Sequence, residues 1–436
     1  MYDSLTLANA TLPTGELADI RVENGVITAI CAVTQPVAAA RAVHDGEVST
    51  DPFALFDATS GMPNLDLRAR LVLPALVNGH AHLDKTFLGA PWQPHRSGIG
   101  VPARVAAERA IRAGVATGVS QRALALAEEM IRFGTGTVRT HVDIDAELGL
   151  ASLHALLELR ERLCDRLDVQ IVAFPQSGIL ASPGVADLLD AALADGADVV
   201  GGLDPFGFDG DADAHLDVVF GLAEKHGAAV DIHLHDLGDA AVSQVTQIAE
   251  RTRVLGLGGA VTLSHAYGLG SIDLPQARRL GAVLAAAGVA VMTNGPAGPM
   301  PPVLALREEG VTVFSGSDNI RDAWWPYGDG DMLGVARTVA YQSDFRTDEE
   351  LAVALDLVTD AAAAALALPA HGLRVGAAAD LVILDAASAA QVVASPPAQR
   401  AVLHRGRLVS SSRLVTRSPA FPRPIERSAS SAVMAR

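Results

Sequence analysis

Leu71-Val72-Leu73-Pro74-Ala75-Leu76-Val77-Asn78-Gly79-His80-Ala81-His82-Leu83-Asp84 is an apolar run that closes on two histidines one residue apart. Side chains on a strand alternate with period two, so His80 and His82 face the same side. Two neutral imidazoles converging on one point make half of a metal site. On its own, the pair reads equally well as surface histidines at a strand end. What surrounds it decides.

From Leu71 to Asn319 one pattern repeats: a short β-branched run ends in a polar residue, and an Ala/Leu/Glu-rich helical stretch follows. The expected strands are Leu73–His82, Val138–Asp143, Val169–Phe174, Asp198–Leu203, Val230–His233, Val261–Ser264, Val289–Thr293 and Thr312–Gly316. Helical stretches such as Leu148–Leu167, Ala214–His226 and Ser243–Leu257 separate them. Eight βα units predict an α/β fold, the (β/α)8 TIM barrel, with its site at the C-terminal ends of the strands. The alternative, an open doubly wound sheet, would carry a Gly-rich phosphate loop after the first strand, and none is present.

The ends differ. Ser4–Ala8 and Ala18–Ile27 are strand-like, a polar insert runs from Thr34 to Asn64, and Val375–Asp385 and Arg400–Val409 are again strand and turn. We therefore expect a small β-sandwich domain from residues 1–70 and 370–415, a catalytic barrel over 71–369, and a flexible Ser/Arg/Pro-rich tail over 416–436.

Of the 436 residues half are hydrophobic, and the net charge is −17. Nucleic-acid affinity comes mainly from Lys and Arg on phosphates, so the acidity argues against such a partner. Cys31 and Cys164 have no metal or redox spacing. No secretory signal or membrane-length apolar stretch is evident. A cytoplasmic enzyme with a small-molecule substrate is the expectation, with homo-oligomerisation left open.

Histidines cluster at strand ends: His80 and His82 after the first, His141 after the second, His233 and His235 after the fifth, His265 after the sixth, with Asp318 after the eighth. In a barrel these meet at one mouth. Three imidazoles and a carboxylate suit one divalent metal ion, Zn or Fe(II), so His80, His82, His233 and Asp318 are the expected ligands. Such an ion supplies hydroxide near neutral pH. His265 is placed to act as a base, and Asp236, three residues after His233, to carry a proton to a leaving nitrogen. His235 would share the face of His233 and is the rival ligand. His141 and Asp143 suit supporting roles.

At this point the chain resembles the amidohydrolase superfamily, and within it the cytosine deaminase-like branch. Besides the HxH, the later histidines and Asp318, the resemblance rests on Val138-Arg139-Thr140-His141-Val142-Asp143, Gln170–Gln176 with Gly178-Ile179-Leu180, Gly196–Gly201, and Trp324-Trp325-Pro326-Tyr327-Gly328. It implies a metal-dependent hydrolase that attacks a C–N bond of a nitrogen heterocycle and releases ammonia or an amine. It implies that Gln176 hydrogen-bonds the ring, that Trp324 closes the pocket, and that His265 assists water activation. Two positions depart from the branch. Asp236 stands where a Glu shuttles the proton, and Asn319 where a second Asp follows the metal-binding one. Lys85 adds a cation beside the HxH. Together they point to a ring other than cytosine, one with an acceptor or negative charge for Lys85. A hydantoinase- or dihydroorotase-like ring opener would need a lysine at the end of strand four, where Gly201-Gly202-Leu203-Asp204-Pro205 has none. A non-catalytic scaffold on the same fold would have no need of the ligands.

Overall fold

The computed structural model describes residues 4–33, 64–95, 100–112, 114–295 and 297–411. The insert from Thr34 and the tail 416–436 thus fall outside the described residues, apart from Asn64 at the end of the insert. The N-terminal strands are β1 (Ser4–Thr11), β2 (Leu17–Glu23), β3 (Val26–Ala32), β4 (Asn64–Asp66) and β5 (Leu71–Pro74). The barrel strands are β6 (Leu76–Ala81), β7 (Thr135–Asp143), β8 (Asp168–Phe174), β9 (Val199–Leu203), β10 (Ala229–His233), β11 (Val261–Ser264), β12 (Val289–Thr293) and β13 (Val313–Ser315). Then come β14 (Leu381–Leu384), β15 (Arg400–His404) and β16 (Arg407–Ser411).

β6 to β13 pair in parallel, each with the next, as one eight-stranded sheet. It closes where Ala81 bridges Asp318 and the Asp318 N–H donates to the His80 carbonyl at 2.8 Å. The barrel is the predicted one. Every residue of β7 is buried, as expected of a parallel strand covered on both faces, and this holds even for its polar residues Arg139, His141 and Asp143. Gly316 is needed at the closure, because a Cβ there would run into the backbone of His80.

The expected strand Leu73–His82 is two strands in two sheets. Ala75 is the only residue between β5 and β6. β5 pairs antiparallel with β14, Leu71 opposite Leu384, and joins the separate β unit built from both ends of the chain. That unit is one continuous sheet, β16-β15-β14-β5-β1-β2-β3, with β4 on β1. Leu7, Ile20, Ile27, Val72, Leu381 and Ile383 form its own apolar cluster. The expected strand Ala18–Ile27 is also two, because Asn24-Gly25 turns the chain with φ of 50° and 79°. Asn-Gly supports a tight hairpin, since both residues tolerate positive φ.

Helices cover the barrel. Two matter for the site: α1 (Val101–Arg112) and α2 (Val119–Arg132), both between β6 and β7. Among the described residues no helix is long and apolar enough to cross a membrane.

Candidate active site

The C-terminal ends of β6, β10, β11 and β13 place His80, His82, His233, His265 and Asp318 at the floor of one pocket. Ring centroids lie 5.2 Å apart for His80 and His82, 4.6 Å for His80 and His233, and 5.0 Å for His233 and His265. Asp318 Oδ1 lies 3.3 Å from His82 Nε2 and 3.6 Å from His80 Nε2. His265 and Asp318 hold left-handed backbones, with φ of 68° and 56°. Such a conformation costs a non-glycine residue about 1–3 kcal/mol and is typical of functional sites. The strand end turns sharply there and presents the side chain to the mouth.

Hydrogen bonds fix which ring nitrogens are bare. The Ser264 hydroxyl donates its one proton to Asp231 Oδ1 at 2.6 Å. It can therefore only accept from His80 Nδ1, 3.0 Å away, which leaves His80 Nε2 as a lone pair facing Asp318. Arg139 holds Asp231 from the other side at 3.0 Å. The Asn294 amide does the same for His265. Its Nδ2 donates to Asp318 Oδ2 at 2.7 Å, and its Oδ1 faces His265 Nδ1 at 3.4 Å. His265 Nδ1 thus carries the proton and Nε2 is free to accept one.

The donor set fits a divalent cation. His80 Nε2, His82 Nδ1 and both nitrogens of His233 are buried without a hydrogen bond among the described residues. Unpaired buried polar atoms are costly and call for a partner. Burial holds His82, His233 and His265 well below the usual imidazole range, hence neutral. For Asp318 burial opposes the charge, but His265, His80 and His82 outweigh it and keep the carboxylate ionised. Neutral imidazoles beside one carboxylate are the ligand chemistry of zinc and Fe(II). His141 also lies in this cluster, its ring centroid 3.9 Å from that of His80, with its Nε2 3.5 Å from Asp231 Oδ1.

Above the floor is a cavity of about 190 Å³, walled by Phe174, Gln176, His235, Tyr267, Asn319 and Trp324 among others. Gln176, Asn319 and Trp324, the expected substrate contacts, thus line this cavity. The Asn319 Nδ2 donates to Asp322 at 2.6 Å, and the Trp324 indole N–H donates to Glu108 on α1 at 2.6 Å.

Lys85 does not wall the cavity. Its ammonium lies 3.1 Å from Asp143 and 3.9 Å from Glu108, and it donates to Gln176 Oε1. Burial opposes the charge, yet Asp143 and Glu108 overcome it and raise the ammonium above its usual range. Lys85 is already neutralised, so the expected substrate cation is instead a positioning group. Lys85 has only donors, so it holds the Gln176 oxygen and leaves the amide NH2 for the pocket.

Asp236 is also corrected. Its carboxylate turns from the cavity and accepts from the Gly207 N–H at 2.9 Å and from Gln244 Nε2 at 2.8 Å. Strand alternation continues past His233: Leu234 is buried in the core, His235 faces the cavity, and Asp236 points away. His235 occupies the place the sequence offers to Asp236. Asp204 receives the His235 backbone N–H at 2.6 Å and faces its Nδ1 at 2.9 Å. Burial opposes the imidazolium, but the Asp204 carboxylate outweighs it and raises His235 above the usual range. Asp204, Asn294, Glu108, Arg104 and Tyr267 escape sequence reasoning. Asp204 and Asn294, each directly after a barrel strand, carry a positional signal.

With this geometry in view, comparison with known proteins is direct. Residues 65–410 match the model of the amidohydrolase family. The crystal structure of N-isopropylammelide isopropylaminohydrolase from Burkholderia multivorans ATCC 17616 superposes with a TM-score of 0.84 at 40% identity, over 94% of this chain and 98% of that one. The 5-methylcytosine deaminase of Klebsiella pneumoniae, liganded with phosphonocytosine, gives 0.78 at 28% identity, over 95% and 100%. The N-isopropylammelide isopropyl amidohydrolase of Pseudomonas sp. (strain ADP) is 30% identical over 366 residues, 80% of this chain and 89% of the relative. The chain belongs to the amidohydrolase family. It is an enzyme, a hydrolase of carbon–nitrogen bonds other than peptide bonds.

Proposed function

We propose that this enzyme removes an exocyclic amino or alkylamino group from a small nitrogen heterocycle, with His80, His82, His233 and Asp318 holding one zinc or Fe(II) ion. The observation that carries the reading is the convergence of three imidazoles and one carboxylate on the floor of a ring-sized cavity. At about 190 Å³ the cavity lies below the ~300–1,000 Å³ of sites for drug-sized ligands, which suits one small ring. The similarity to an N-isopropylammelide aminohydrolase and a 5-methylcytosine deaminase supports the same class of substrate.

A divalent cation there, when bound, supplies Lewis acidity and makes water a nucleophile near neutral pH. The chain's own residues do the rest. His265 Nε2 takes a proton from the attacking water, while Asn294 keeps both His265 and Asp318 in place. His235, backed by Asp204, delivers a proton to the departing nitrogen. Gln176, its oxygen held by Lys85, donates from its NH2 to an acceptor on the ring. Trp324 and Phe174 flank the ring with apolar surface.

The test is metal analysis with an ammonia- and amine-release screen over pyrimidines, pterins and amino- or alkylamino-triazines. We expect one zinc or iron per chain and release from at least one class. A protein that takes up neither metal, or a metal-loaded protein silent on every ring, refutes the reading.

A further inference from the structure

We propose a second cation site, remote from the pocket, in which Asp168, Asp380 and His404 bind a divalent transition metal such as zinc and clamp the barrel to the terminal β unit. Strand register brings the three side chains together. β14 and β15 set Leu381 opposite Leu403, so Asp380 and His404, one step further on, are cross-strand neighbours. The Ala75 N–H, between β5 and β6, donates to the Asp380 carbonyl at 2.8 Å and docks this hairpin against the barrel. Asp168 opens β8 of the barrel, and Phe174, which walls the catalytic cavity, closes it. Roughly 20 Å of extended chain therefore lies between the two sites. One ligand atom from each of Asp168, Asp380 and His404 lies within 4.8 Å of the others.

His404 sets this cluster apart from ordinary surface acids. It is 2% exposed, and neither ring nitrogen makes a hydrogen bond among the described residues. Its Nδ1 lies 3.2 Å from Asp380 Oδ1, out of hydrogen-bond alignment. A buried imidazole left in that state calls for a partner. The carboxylates are only half used. Asp168 Oδ1 accepts from Arg405 Nη2 at 3.1 Å, and Asp380 Oδ1 accepts from the Arg405 backbone N–H at 2.6 Å. Neither Oδ2 has a hydrogen bond among the described residues. Burial raises the Asp168 carboxyl above its usual range; His404 and Arg405 act against this, and Asp380 acts with it. One guanidinium thus faces two carboxylates, and a divalent cation relieves the repulsion that remains. The imidazole favours zinc over magnesium, which prefers oxygen ligands alone. Asp168 and Asp380 are partly exposed, so water completes the coordination and this ion exchanges more readily than the one in the pocket.

The test is calorimetric titration of zinc into the purified enzyme, dialysed beforehand to constant metal content. We expect one further zinc per chain and a thermal unfolding midpoint that rises with added zinc. Magnesium should do neither. His404→Ala should weaken the further binding at least about tenfold and abolish the rise in midpoint. Asp168→Asn, at a partly exposed position, should weaken it similarly, and it decides the matter alone if His404→Ala does not fold. Both variants should keep the metal content of the pocket. No further zinc, or further zinc bound with unchanged affinity by Asp168→Asn, overturns the site and leaves the heterocycle reading standing.

Discussion

Replacing Asp204 with Asn should slow turnover far more than replacing Asp236 with Asn. Asp204 spends one oxygen on the His235 backbone N–H at 2.6 Å and the other on Nδ1 at 2.9 Å. An amide has a single oxygen. If that oxygen keeps the backbone N–H, the NH2 is driven against Nδ1–H, and His235 loses both its orientation and its counter-charge. A hydrogen bond to a charged group is worth about 1.5–3 kcal/mol. Lost from the transition state, that is roughly a 10- to 150-fold fall in kcat. Among the described residues the Asp236 carboxylate accepts from Gly207 and Gln244, outside the cavity. A polar swap there should stay within about 0.5 kcal/mol, or about twofold. The assay is steady-state amine or ammonia release by zinc-loaded enzyme, with metal content measured for each variant. Equal losses in the two variants, or a larger loss for Asp236→Asn, would refute the placement of His235 as proton carrier.

Other expectations follow from the same contacts. His233→Ala should lower bound metal, measured by elemental analysis, while His141→Ala should retain it; the reverse pattern would move the ion into the His80, His82 and His141 cluster. Asp322 is pushed up to about 7, first by burial and then by Glu108. Its folded value exceeds its unfolded one, so its share of stability is full in acid and is lost as pH rises through about 7. Between about pH 5.5 and 8.5 the wild type should lose about 2 kcal/mol more than Asp322→Asn in urea unfolding, and parallel curves would contradict this. Arg400, 1% exposed, grips both Asp331 oxygens at 2.7 and 2.6 Å and the Phe133 carbonyl at 2.6 Å. Arg400→Met should cost about 3–5 kcal/mol, and a urea-derived loss under about 1 kcal/mol would show the pair to be idle.

The barrel was legible because its buried parallel strands are short β-branched runs separated by Ala/Leu-rich helical stretches, and several end in a polar side chain at the mouth. The same burial hid the break at Ala75. β5 and β6 are both wholly buried, so nothing in the polarity of Leu71–Ala81 marks where one sheet gives way to another. At His233 two rules competed. A spacing of three, taken from the family pattern, favoured Asp236. The two-residue alternation of an extended chain favoured His235, and the backbone followed it. Lys85 shows a different limit. Its charge is visible in the sequence, but Glu108 and Asp143 become its neighbours only through folding. Arg104 and Tyr267 sit on helices with nothing local to mark them.

The pairing of β5 with β14 also has a consequence for synthesis. Leu71 must wait for Leu384, roughly three hundred residues downstream. At about 5–20 residues per second, a ribosome takes on the order of 15–60 s to deliver that partner. Throughout this interval one flank of β5 has no strand beside it, although β6, joined to it through Ala75, is free to enter the barrel. The nascent chain is therefore exposed to strand-edge association while its catalytic half matures. Co-translational shielding of residues 71–74 should govern the yield of soluble enzyme.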